Sequence, residues 1–101
     1  MSKTIYIIMV DEWVDGYCAT QVTDYHETLE GALESFDRRV EIETANFMRN
    51  EFGVDAHDEE TLNAYKVLRG KSTCSDGTEA FSIESGPRTV YVNIYKRELQ
   101  P

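Results

Sequence analysis

Cysteine, proline and histidine each occur only twice in the 101 residues. Two cysteines, Cys18 and Cys74, do not make the framework of a small exported domain, which usually needs four or more at close spacings. Reduced thiols in a cytosolic protein are expected, with one long-range disulfide as the alternative. So few prolines, beside 41% hydrophobic and 11% aromatic residues, exclude a disordered composition. Long apolar runs are also missing. The longest, Ile5 to Val10, has six residues, against about 20 for a membrane helix and about 7 to 15 for the apolar part of an export signal. A soluble protein of the cytoplasm is expected.

Catalytic signatures are missing as well. Gly70-Lys71-Ser72-Thr73 resembles the end of a phosphate-binding loop, but Tyr65 stands where the motif requires its first glycine. His57-Asp58-Glu59-Glu60 has metal-ligand residue types, yet a helix start attracts acids through the dipole alone. No local motif joins Cys18 to a histidine as nucleophile and base. The expectation is therefore no enzyme, no cofactor and no metal site.

What the chain does have is acid in one place. Asp11 to Glu60 holds 15 Asp and Glu against 3 Arg, a net of −12, and the remaining residues net +3, giving −9 overall. Such a surface repels nucleic acid and membranes and steers association with basic protein surfaces.

At 101 residues one domain over 1–101 is expected. Thr4 to Val10 is apolar on both alternating faces, as in a central strand. Asp15-Gly16 suits a tight hairpin turn, and Tyr17 to Tyr25 reads as the return strand. From Thr28 the period becomes helical. Leu29, Leu33, Phe36, Val40 and Phe47 fall within about 60° of one another, with Ala32 beside them. Thr28 suits the N-cap and Gly53 the left-handed residue past the end. A helix over 29–52 would be ~36 Å long, and a break near Glu43 to Asn46 is allowed for. Asp58-Glu59-Glu60 opens a second helical stretch through Leu62, Tyr65 and Leu68 with Gly70 as its stop, although 64–71 also alternates like a strand. Lys71 to Thr78 reads as a loop. Glu79 to Glu84 and Thr89 to Lys96 form a second hairpin across Ser85-Gly86-Pro87. The order ββα(α)ββ predicts an α+β fold: an antiparallel sheet of about four strands with one long amphipathic helix packed on one face. The other face is either solvated or a partner surface.

Glu27, Glu30, Glu34, Asp37 and Glu41 recur at steps of three and four, so they line one side of the helix, roughly 105° from the apolar stripe. A solvated helix face is the plain explanation, but repulsion between carboxylates one turn apart costs a few tenths of a kcal/mol per pair with no base in the row to relieve it. At about one charge per 5 Å the ridge is sparser than one strand of duplex DNA, with one per ~3.4 Å. Imitation of a duplex would need a second row, from Asp11, Glu12 and Asp15 or from Asp55, Asp58, Glu59 and Glu60. At the hairpin tip, Trp13 and Tyr17 flank Asp15-Gly16, where aromatic residues amid charge make interface anchors. Trp13 folded back onto the core is the alternative.

The run Ile-Tyr-Ile-Ile-Met-Val-Asp (5–11), then Trp-Val-Asp-Gly-Tyr (13–17), then Thr-Leu-Glu-Gly-Ala-Leu-Glu-Ser-Phe (28–36) resembles small proteins of phages and mobile elements in which a hairpin leads into a helix of this opening. The likeness covers about the first half and brings no functional residues with it. Acidic single-domain inhibitors of host nucleic-acid machinery, of anti-CRISPR and anti-restriction type, are similar in size and charge, and the resemblance implies a comparable role in a host cytoplasm. The expected function is a non-enzymatic binding protein. Its ridge and its tip (Asp11, Glu12, Trp13, Asp15 and Tyr17) would occupy a basic, nucleic-acid-binding surface of a partner protein or complex, without direct contact to nucleic acid or membrane. The alternative is a structural or regulatory module that self-associates through sheet edges, as a homodimer, with its acid serving solubility.

Overall fold

The computed structural model describes residues 3–99. The first apolar run becomes β1 (Lys3–Val14), which turns at Asp15-Gly16 into β2 (Tyr17–His26). Asp15 and Gly16 both have positive φ, 50° and 86°, as a two-residue type I′ hairpin requires. β1 runs past Val10 because Asp11 to Val14 are paired on both sides, with β2 and with the last strand. Backbone pairing on two sides outweighs the polar character of Asp11 and Glu12.

Thr28 caps α1 (Leu29–Phe52), its Oγ1 accepting from the Gly31 amide at 3.1 Å, and Gly53 closes it at φ 67° with its N–H donated to the Arg49 carbonyl. The helix is unbroken at Glu43 to Asn46, where the Thr44 hydroxyl donates to the Val40 carbonyl at 2.7 Å instead of disturbing the ladder. Its ~36 Å suits strands β1 and β5 (Arg88–Leu99), each 12 residues long and hence ~40 Å.

The middle of the chain departs from the expected pattern. α2 (Glu59–Ala64) is a short helix that stops well before Gly70, because Lys66 adopts φ 58° and turns the chain. Leu68 then opens β3 (Leu68–Thr73), so Gly70 and Lys71 lie in a strand, and only 74–78 loops before β4 (Glu79–Ser85). The fold is α+β with one antiparallel sheet of five strands, not four, in the order β2-β1-β5-β4-β3. The first and last strands are neighbours at its centre.

α1 and α2 lie on one face of that sheet. Ile8, Val10, Val90, Val92, Ile94, Phe81 and Ile83 from the strands meet Ala32, Phe36, Phe47 and Met48 of α1, Leu62 of α2 and Val67. Burying each larger side chain contributes about 1.5 to 3 kcal/mol. Leu33 and Val40 pack at the margin of this core. The opposite face of the sheet is open, with Trp13, Tyr91 and Tyr95 more than a third exposed.

Candidate acidic docking site

All five ridge carboxylates are exposed, but long-range bases change their charge balance. Glu27, at the junction of β2 and α1, lies 2.6 Å from Lys3 Nζ, and that hydrogen-bonded ammonium holds its carboxyl below the ordinary range. Asp37 lies 3.7 Å from Lys71 Nζ, which sits closer to Glu79 at 2.9 Å. The bond to Glu79 is the main reason the Lys71 ammonium is held more tightly than usual. Glu30, Glu34 and Glu41 have no ion-pair partner among the described residues. Arg38, one turn from both Glu34 and Glu41, is exposed beside them without closing a pair. The unneutralised part of the ridge is therefore these three carboxylates, spread over ~16 Å of helix.

The hairpin tip lies beyond the C-terminal end of α1. Glu27 is beside the start of β1, the tip is ~40 Å of strand away at its other end, and Glu12 is joined through Arg88 to Glu51 near the end of the helix. Alternation also divides the tip residues between the two faces. Asp11 and Trp13 stand on the open face, where Asp11 accepts the Thr20 hydroxyl at 2.6 Å. Glu12 stands on the helix side, 3.0 Å from Arg88 Nη2. Tyr17, opposite Val14, is 82% exposed, and Asp15 sits in the turn with its amide donated to the Pro87 carbonyl at 3.3 Å. Trp13 does not fold back onto the core; it is 43% exposed. A second charged row from Asp11 and Glu12 is thereby ruled out, since they point to opposite sides of one strand. Asp55 is tied to Arg49 at 3.3 Å and Asp58 to the Thr61 hydroxyl, which lowers the Asp58 pKa.

Two polar clusters had no sequence signal. Arg88 Nε lies 3.1 Å from Glu51 Oε1 without being aimed at it, a charge contact and not a hydrogen bond, while Nη2 reaches Glu12. This guanidinium joins β1, β5 and the end of α1. Glu43, half-buried nearby, has its carboxyl pKa raised mainly by burial, with Glu12 adding to the effect and Arg39 opposing it. On the other side of the sheet's inner face, Asp24 Oδ2 accepts the Ser35 hydroxyl at 2.7 Å and lies 2.9 Å from His26 Nε2. The bond from Ser35 is the largest cause of the lowered Asp24 pKa, ahead of the opposing effect of burial and the contribution of His26. The residue types are those of a hydrolytic triad, but the carboxylate stands between serine and histidine. The histidine does not contact the serine; through the carboxylate the trio links β2 to α1.

Cys18 and Cys74 are both free and exposed. Among the described residues no three His, Cys, Asp or Glu side chains converge as a metal site would need, and no helix is long and apolar enough to cross a membrane. Comparison with family models, curated proteins and solved structures finds no match for this chain.

Proposed function

We propose that this chain is a non-enzymatic acidic binding protein that occludes a basic, nucleic-acid-binding surface of a partner protein, in the manner of the acidic single-domain phage inhibitors that it resembles in size and charge. The observation that carries this reading is the row Glu30, Glu34 and Glu41, exposed and without ion-pair partners among the described residues, although the same fold supplies Lys3 and Lys71 to neighbouring acids. Glu30 and Glu34, one turn apart, repel each other, and with Glu41 they create a local negative potential that Arg38 only partly offsets. In this reading the docking surface is centred on the exposed side of the helix.

The test is capture from a host lysate on immobilised protein, with the Glu30→Lys, Glu34→Lys, Glu41→Lys variant as control and duplex DNA as competitor. A basic nucleic-acid-binding protein should be retained by the parent, lost by the variant and displaced by DNA. Equal retention by parent and variant would reduce the row to a solvated helix face.

A further inference from the structure

We propose that the open face of the sheet receives a second copy of this chain, packed face to face about a two-fold axis running along the strands. This rests on the sheet, not on the acidic helix, and stands whether or not the docking reading above holds.

The face is divided by side-chain size. Register places Trp13, Val22, Tyr25, Tyr91, Tyr95 and Leu99 on it, all exposed and all on β2, β1 and β5. On β3 and β4 the same face carries Gly70, Ser72, Ala80 and Ser82, which with Tyr91 and Asn93 line a hollow of about 310 Å³. The bulky and aromatic side chains are thus concentrated on β2, β1 and β5, and β3 and β4 are low except at one end, where Leu68 stands exposed opposite Glu84. A two-fold axis parallel to the strands lays β2 of one copy over β3 of the other, β1 over β4 and β5 over its own counterpart, so Val22 meets the low strip at Ser72 while Tyr91 and Tyr95 meet their own copies at the axis. An axis across the strands would set bulk against bulk. The chosen axis also keeps the strands of both sheets nearly aligned, the usual arrangement of packed sheets, offset by about 30° through their twist. A two-fold contact uses the same patch on both copies.

Area and charge agree with this occupant. The five strands hold 47 residues, which at ~3.3 Å along and ~4.8 Å across the sheet cover ~750 Å², close to the ~800 Å² per partner of a standard interface. The charged residues that register puts on the face are Lys3, Asp11, Glu84 and Arg97, two of each sign, in a chain of net −9. Asp11 and Glu84 each accept a threonine hydroxyl within the face, from Thr20 and Thr89. Two strongly acidic chains can therefore meet here without opposing their charge, and the ridges of α1 end up on the two outer sides. The dimer would present two acidic helices facing away from each other.

Sedimentation velocity over a concentration series, with fluorescence of Trp13, the single tryptophan, tests this. The expected result is a monomer–dimer equilibrium with a dissociation constant on the order of micromolar. Trp13 emission should shift to the blue with the same midpoint as it leaves water. Added salt should tighten the dimer by screening repulsion between like-charged chains, the opposite of its effect on an acidic helix bound to a basic partner. Ala80→Arg and, separately, Ser82→Arg fill the hollow with charge and should each weaken the dimer at least about tenfold, or ~1.4 kcal/mol. Far-UV circular dichroism confirms that each stays folded. A chain that remains monomeric to about millimolar concentration overturns the proposal and leaves the face to a different protein. A dimer whose formation leaves Trp13 emission unmoved, or that survives both arginine variants, forms through another surface and overturns it equally.

Discussion

Ser35, on the buried side of α1, donates its hydroxyl to Asp24 Oδ2 of β2 at 2.7 Å, tying the long helix to an edge strand that has a neighbour on one side only. Most of β2 is exposed, and this bond, supported by His26, ties the part-buried end of the strand to the helix.

Ser35→Ala should accordingly cost about 1 kcal/mol, less than the usual ~1.5 to 3 kcal/mol for a bond to an ionised acceptor because Asp24 is partly solvated, and should raise amide exchange in β2 before other strands. The pH dependence has a definite sign. Asp24 has a lowered folded pKa, so its stabilisation is present above the unfolded value of about 3.9 and is lost as pH falls through the folded one. The difference in stability between parent and variant should shrink below about pH 4. A difference independent of pH from 2 to 7 would assign the loss to packing and not to the ionised carboxylate.

Glu43 works in the opposite direction. Its folded pKa is raised by burial, so folding favours the protonated form. The cost of ionising it is absent below the unfolded value and grows as pH rises through the folded one. Glu43→Gln should melt higher than the parent at pH 7, and the two should converge near pH 4. Equal melting at neutral pH would show that Arg39 compensates the burial.

Phe36 is fully buried, with Lys71 Nζ 5.9 Å from its ring centre. Phe36→Ala should open a cavity and cost about 3 to 5 kcal/mol, out of a total of about 5 to 15 kcal/mol for a domain of this size. The melting temperature should fall by at least about 12 °C. Glu34→Ala, on the exposed side, should melt within a few degrees of the parent.

The ridge variant Glu30→Lys, Glu34→Lys, Glu41→Lys should keep its fold while its association with a basic partner slows about tenfold or more at low ionic strength. The difference should narrow as salt is raised. Stopped-flow association rates measure this, and a rate unchanged at low salt would remove the steering role.

Neither thiol is packed or bonded to its twin. The Cys18→Ser, Cys74→Ser double variant should stay within about 0.5 kcal/mol of the parent in urea unfolding and retain partner binding. A folded variant without activity would point to thiol chemistry.

The sequence by itself determined those elements whose cause is local. The apolar stripe through Phe36 and Phe47, with Thr28 and Gly53 at its ends, is enough to specify α1, because helical bonds join residues four apart. The alternation in 79–84 and 89–96 likewise specifies the second hairpin. Tertiary structure alone decided the rest. β3 is exposed at every position and carries no apolar alternation. It is a strand because β4 offers it a row of unpaired backbone groups, with Arg69 opposite Ile83 and Lys71 opposite Phe81. The union of β1 with β5 at the sheet centre also joins opposite ends of the chain. The same holds for the acidic surface. Spacing gave the row from Glu27 to Glu41, but which carboxylates stay bare depends on Lys3 and Lys71, brought in by strands distant in sequence. Trp13 and Glu12, adjacent in the chain, were sent to opposite faces by the pleat once β1 continued beyond Val10. Pairing in a sheet is non-local, so the charge pattern and the open face that follow from it are properties of the assembled fold.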